Sequence, residues 1–189
     1  MKNGKVYLIG AGPGDPGLIV VRGADILKEA DVVIYDYLVD KRILRYARED
    51  AELIICGRRP ELRQERITQL LVRKVKAGKN VVRLKGGDPF LFSRCSHELE
   101  ALVKNGIEFE VVPGITAASA AAVFSGIPLT ESSRASSVCL VTGKEALSKK
   151  ESLIDWEALS KNTTIVFYMG VARLNVISRK LINCGRKKN

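Results

Sequence analysis

The chain is poor in the residues from which most kinds of site are built. It has one histidine, His97, and one tryptophan among 189 residues. Its four cysteines, Cys56, Cys95, Cys139 and Cys184, stand far apart and form no Cys-x-x-Cys pair. A structural metal site needs clustered ligands, so no zinc centre, and no metal of any kind, is expected. Cys56, Cys139 and Cys184 lie in or beside apolar runs and read as buried free thiols, whereas Cys95 sits among polar residues and is expected at the surface. Aromatic residues make up 6% of the chain. No apolar run approaches the roughly 18 residues that a membrane-crossing helix requires. Met1 leads almost directly into a strand, with no charged-then-apolar export signal, so a cytoplasmic setting is expected. Internal repeats and low-complexity segments are absent as well.

What is present is an ordinary globular composition, 46% hydrophobic and 28% charged, in a length that suits one large domain or two small ones. The formal net charge is +10. From Arg58 to Arg83 nine basic residues face two acidic ones, Glu61 and Glu65. Such a run is either a solvated helix face or a surface for an anionic partner. No aromatics are interleaved with it, which argues against stacking of nucleic-acid bases.

Apolar runs and helix-spaced residues alternate along the first half. Val6–Ile9, Val32–Tyr35, Leu53–Cys56, Val81–Leu84 and Phe109–Val112 read as strands. Asp15 with Pro16, and Asp40, carry helix-start signals. Ile67, Leu70, Leu71 and Val75 share one helix face that stops at Gly78. Strand–helix alternation predicts a mainly parallel α/β sheet. After Pro113-Gly114 the pattern changes to a small-residue helix over Thr116–Val123, two strands at Val138–Thr142 and Thr164–Tyr168, and a final helix over Leu174, Ile177 and Leu181. A domain boundary near residue 113 is expected, dividing the chain into 1–113 and 114–189. With two strands, the second half reads as incomplete, either a fragment or a shortened form.

Two turns rich in Gly, Pro and Asp end apolar strands, GAGPGDPG after Ile9 and Gly86-Gly87-Asp88-Pro89 after Lys85. In open α/β sheets ligands sit at that carboxyl edge. Gly12-x-Gly14-x-x-Gly17 matches a dinucleotide fingerprint by letter, but Pro13 and Pro16 remove two N–H groups that a pyrophosphate cradle would use. That fingerprint also leaves the second turn unexplained. Asp36, at the end of the second strand, reads either as a base facing this edge or as a turn cap.

GAGPGDPGL, YDYLV (35–39), VVRLKGGDPFLF (81–92), VVPGITAASAAA (111–122) and YMGV (168–171) together resemble the tetrapyrrole methylases, in family order over nearly the whole chain. The resemblance implies two α/β domains with a cofactor cleft between them, in a homodimer. It implies S-adenosylmethionine (SAM) as methyl donor, held by Pro13, Gly86, Gly87, Asp88, Leu91, Thr116, Ala117 and Met169, with S-adenosylhomocysteine as product. The implied acceptor is the polycarboxylate uroporphyrinogen III, methylated on pyrrole carbons towards precorrin-2. A later corrin precursor, an RNA or protein target in related folds, and a fragment of little activity are the alternatives. Asp36 matches the implied base. Arg58 stands where the family has a lysine, and it keeps the charge without readily giving up a proton. Arg94 and Arg134 are the implied substrate anchors. The family's FGRGGEE becomes Phe92-Ser93-Arg94-Cys95-Ser96-His97-Glu98, which places bulk on the acceptor side.

Overall fold

A computed structural model describes residues 4–56, 64–145, 152–160 and 163–188. The chain divides into two compact units, Met1–Ala117 and Ala118–Asn189. The division falls four residues beyond Pro113, near which the sequence predicts the boundary.

Unit 1 is built on five strands, β1 (Val6–Gly10), β2 (Val32–Asp36), β3 (Glu52–Cys56), β4 (Val81–Lys85) and β5 (Phe109–Val112). They pair in the order β3-β2-β4-β1-β5, all parallel. Helix α1 (Val21–Glu29) follows β1, α2 (Gln64–Lys76) precedes β4, and α3 (Cys95–Lys104) follows β4. The helix-start signals take local form. Asp15 accepts a hydrogen bond from Gly17 N at 2.8 Å, ahead of a 3-10 turn at Pro16–Leu18. Asp40 accepts from Arg42 N at 2.8 Å, ahead of a 3-10 segment at Lys41–Tyr46.

The strands read as apolar runs because both faces of the sheet are covered. Ile26 and Leu27 of α1, with Ile43, pack on Ile9, Val33, Tyr35, Val82 and Leu84. Ile67, Leu71 and Val75 of α2, with Leu102 of α3, pack on the alternate residues Val6, Leu8, Val32, Ile34 and Val81. The chain therefore leaves β1 towards one face and β4 towards the other. In open α/β sheets ligands bind at the carboxyl edge where neighbouring strands lead to opposite faces.

Unit 2 holds β6 (Val138–Thr142) and β7 (Thr164–Tyr168), a parallel pair, with all but the first residue of α4 (Ala117–Ser125) and with α5 (Leu174–Asn183). Every residue of β7 is half-buried, and only Val141 of β6 is buried. α4 buries Ala118 and Ala120 and exposes Val123 and Phe124. Trp156 stacks on Phe167 at 6.0 Å between centroids, with Lys180 Nζ 4.8 Å from the Trp156 ring. Among the described residues no helix is long and apolar enough to cross a membrane.

Candidate active site

The carboxyl edge of unit 1 is drawn together by backbone contacts that only glycine permits. A Cβ on Gly114 would stand 2.3 Å from Gly87 O and 2.7 Å from Gly10 Cα. The ends of β1, β4 and β5 therefore touch main chain to main chain. Gly12 and Gly87 exchange hydrogen bonds, Gly12 N to Gly87 O at 3.2 Å and Gly87 N to Gly12 O at 2.8 Å. Both lie at positive φ, +74° and +67°, where a side chain would be strained. Thr116 Cα and Ala117 N lie 4.0 Å from the place a Gly87 Cβ would take, in ordinary van der Waals contact. A Cβ at Gly87 would thus occupy the space between the β4 loop and residues 116 and 117 of the same unit.

Asp88 ties this arrangement together. Its Oδ1 accepts from Phe90 N at 2.8 Å and its Oδ2 from Gly114 N at 3.0 Å. One carboxylate closes its own turn and joins the β4 loop to the β5 loop. Each oxygen keeps a further lone pair for a ligand's ammonium group. Pro13, Gly86, Gly87, Asp88, Leu91 and Thr116 are all half-buried along this edge, and Ala117 is exposed at the start of α4. A glycine cradle with a carboxylate beside it suits an amino acid-bearing cofactor such as SAM.

Asp36 ends β2 on the face covered by α2 and α3. Its side chain is 28% exposed and forms an ion pair with the Arg83 Nη2 of β4 through Oδ1. The Cys56 thiol at the end of β3 donates to Tyr35 O at 3.3 Å and lies 3.5 Å from the same Oδ1. No described backbone N–H donates to this carboxylate, so the geometry does not match the turn-cap alternative. Arg83 was not among the expected site residues. It donates from Nε to Glu98 Oε1 at 2.8 Å, and Lys85 Nζ donates to Glu98 Oε2 at 2.8 Å. Burial opposes the charge on Arg83, but the Asp36 and Glu98 carboxylates outweigh it and raise its pKa above the ordinary guanidinium value. Burial pushes the Cys56 thiol up to about 12, so it is neutral and unreactive at physiological pH.

The remaining expected residues are dispersed. Arg58, and Arg59 beside it, lie outside the described residues. Arg94 is exposed, in a left-handed conformation at φ 57°, just before α3. Arg134 belongs to unit 2, where it is exposed and 3.5 Å from Glu131. Met169, also in unit 2, follows β7 at φ 55° with its side chain exposed. Cys95 is buried, not exposed as its polar neighbours had suggested, because it opens α3 and turns inward beside Lys85 and Glu98. Its thiol is raised to about 11 by burial. Cys139 and Cys184 are only half-buried. Cys95, Ser96 and His97 occupy the first turn of α3 at ordinary helical geometry, so no glycine is needed at those positions. No group of metal-ligating residues occurs among the described residues.

With this geometry in place, the comparisons with known proteins are specific. The family model for tetrapyrrole (corrin/porphyrin) methylases matches residues 5–189. A uroporphyrinogen-III C-methyltransferase of Priestia megaterium is 49% identical over 97% of this chain and 78% of its own length. Another of that name, from Bacillus subtilis, is 46% identical over 98% of this chain, which spans only 39% of that longer relative. A crystal structure of uroporphyrin-III C-methyl transferase from Thermus thermophilus, complexed with S-adenosylhomocysteine, superposes with a TM-score of 0.80 at 39% identity, over 97% of this chain and 74% of that one. The parallel α/β fold expected from strand–helix alternation and the cofactor class implied by the resemblance are thus those of solved relatives, and the chain belongs to the tetrapyrrole methylase family.

Proposed function

We propose that this chain transfers methyl groups from SAM to pyrrole carbons of uroporphyrinogen III, giving precorrin-2. The observation that carries the reading is the Asp36 carboxylate, which is held by Arg83 at the same strand-end edge as the Gly87–Gly114 contact. When bound, SAM supplies an electrophilic methyl group on a sulfonium. Gly86 and Gly87 would let the backbone approach the cofactor, Asp88 would pair with its ammonium group, and Thr116 and Ala117 would add further contacts from the same unit; Met169 is assigned to the cofactor by the family resemblance alone. Alkylation at a pyrrole carbon leaves positive charge on the ring and an acidic pyrrolic proton. Asp36 accepts that proton and stabilises the charge as it develops.

The substrate's carboxylates call for cations that stay charged. Arg94 is exposed beside the β4 loop and is free of any described acidic partner. Arg134 would exchange its contact with Glu131 for a substrate carboxylate. Arg58 is assigned as an electrostatic anchor on its charge alone. The same reading includes a homodimer, supported by the apolar side chains that unit 2 exposes, among them Phe124, Ile127 and Val171. Light scattering that finds only monomers would remove that part. It also includes a cytoplasmic setting, which suits four free thiols.

The test is methyl transfer from labelled SAM, with uroporphyrinogen III and ribosomal RNA as parallel acceptors. Label in a dimethylated tetrapyrrole is the expected result. Label in the RNA alone, or a later corrin precursor accepted where uroporphyrinogen III is not, would overturn the assignment.

A further inference from the structure

Three charged side chains are buried beneath the loop that follows β4; the steps above give Lys85 and Glu98 no part and Arg83 none beyond its contact with Asp36. Arg83 is 2% exposed, Lys85 1% and Glu98 0%. Replacing such a cluster with well-packed apolar side chains is often neutral or stabilising, so stability alone gives no reason to keep it. The four-residue chain Lys85–Glu98–Arg83–Asp36 alternates in sign and sums to zero, with Asp36 as its one member at the surface. Residues 83 and 85 are alternate positions on β4 and so share a sheet face. Glu98 meets them from the first turn of α3, where the helix dipole favours a carboxylate.

Every nitrogen of Arg83 is committed. Nε serves Glu98, Nη1 donates to Leu84 O at 3.2 Å and Ile34 O at 3.4 Å, and Nη2 serves Asp36. The guanidinium cannot turn without breaking several of these bonds. Glu98 has both oxygens engaged as well. Among the described residues, the groups that face Asp36 are Arg83 from β4 and Cys56 from β3, and both reach Oδ1. Among the described residues no hydrogen bond reaches Oδ2.

We infer that Arg83 is a positioning residue for methyl transfer: it fixes Asp36 through one carboxylate oxygen, is itself locked by Glu98 and Lys85, and leaves Oδ2 to the tetrapyrrole. This rests on the reading of Asp36 as the group that meets the pyrrolic proton. A lysine at 83 would keep the charge but not the planar fork that spans Glu98 and Asp36 together.

The experiment is a double-mutant cycle of Arg83→Met with Asp36→Asn, reading kcat and KM for methyl transfer and the S-adenosylhomocysteine affinity by calorimetry. Arg83→Met is expected to lower kcat about a hundredfold, as loss of orientation commonly does, with KM for SAM and the calorimetric affinity unchanged. Arg83→Lys should recover part of that loss. In the Asp36→Asn background Arg83→Met should cost nothing further, because the residue it positions is already disabled. A native kcat for Arg83→Met, or the same loss in both backgrounds, would overturn the inference. A native rate for Asp36→Asn alone is a different result: the base assignment falls, and the positioning role falls with it. If Arg83→Met does not fold, Glu98→Gln is run through the same cycle with the same expectation. A structural arm is independent of turnover. A crystal structure of Arg83→Met, or of Glu98→Gln if that is the variant that folds, should show Asp36 in a new or mixed rotamer, and the native rotamer would contradict the proposal.

Discussion

In unit 1, Gly114 meets Gly10 and Gly87 backbone to backbone; in unit 2, Gly143 and Gly170 do the same after β6 and β7. A Cβ on Gly143 would stand 2.5 Å from Gly170 Cα, much as one on Gly114 would strike Gly87 O at 2.3 Å. The device is shared, but its foundation differs. Beneath the loops of unit 1 lie five paired strands with an apolar layer on each face. Beneath those of unit 2 lie two short strands, one of them half-exposed along its whole length. Strand-end loops are only as fixed as the sheet that carries them. Unit 1 can therefore hold a carboxylate such as Asp88 between two loops. Unit 2 offers Met169 in a left-handed conformation that costs energy to maintain and is typical of functional positions.

Matched glycine substitutions in the two units test this contrast most severely. Gly114→Ala is expected to cost about 3 kcal/mol or more, because backbone on both sides must shift. Gly143→Ala should cost less, since fewer paired strands depend on that contact. Denaturant melts of both variants check the order, and equal losses would mean that the supporting sheet is irrelevant.

Asp88→Ala sharpens the same contrast more gently. It removes the acceptor of two backbone N–H groups, and a loss of about 2 kcal/mol is expected from bonds to a charged group. S-adenosylhomocysteine affinity should fall with it, measured by calorimetry. An unchanged melt with unchanged affinity would show that neither loop depends on this carboxylate.

Much of unit 1 was legible because its elements are local. Buried parallel strands appear as unbroken apolar runs, and Asp15 and Asp40 announce the turns that they do cap. The glycine turns were legible as a site because both end strands. Strand order was not legible, since it is set by pairing across long separations: β4 inserts between β1 and β2, far from either in sequence. The partner of Asp36 was missed for the same reason. Arg83 lies 47 residues away, inside a run that reads as apolar core. Its signal was available: two cations spaced by two in a strand with both faces covered must find carboxylates on one face. Cys95 was misjudged because polar sequence neighbours say nothing of which helix face a residue occupies. Arg58 lies outside the described residues, so its comparison with the family lysine rests on charge alone.

The cradle at the carboxyl edge of unit 1 is tested most directly by amide hydrogen exchange with and without S-adenosylhomocysteine. Binding should slow exchange in residues 11–14, 86–91 and 114–118, the segments joined by Gly87, Asp88 and Gly114, with the outer surface of α2 unchanged. Protection confined to α2 and α3, or to unit 2 with none along the β1 and β4 loops, would contradict the placement of the cofactor.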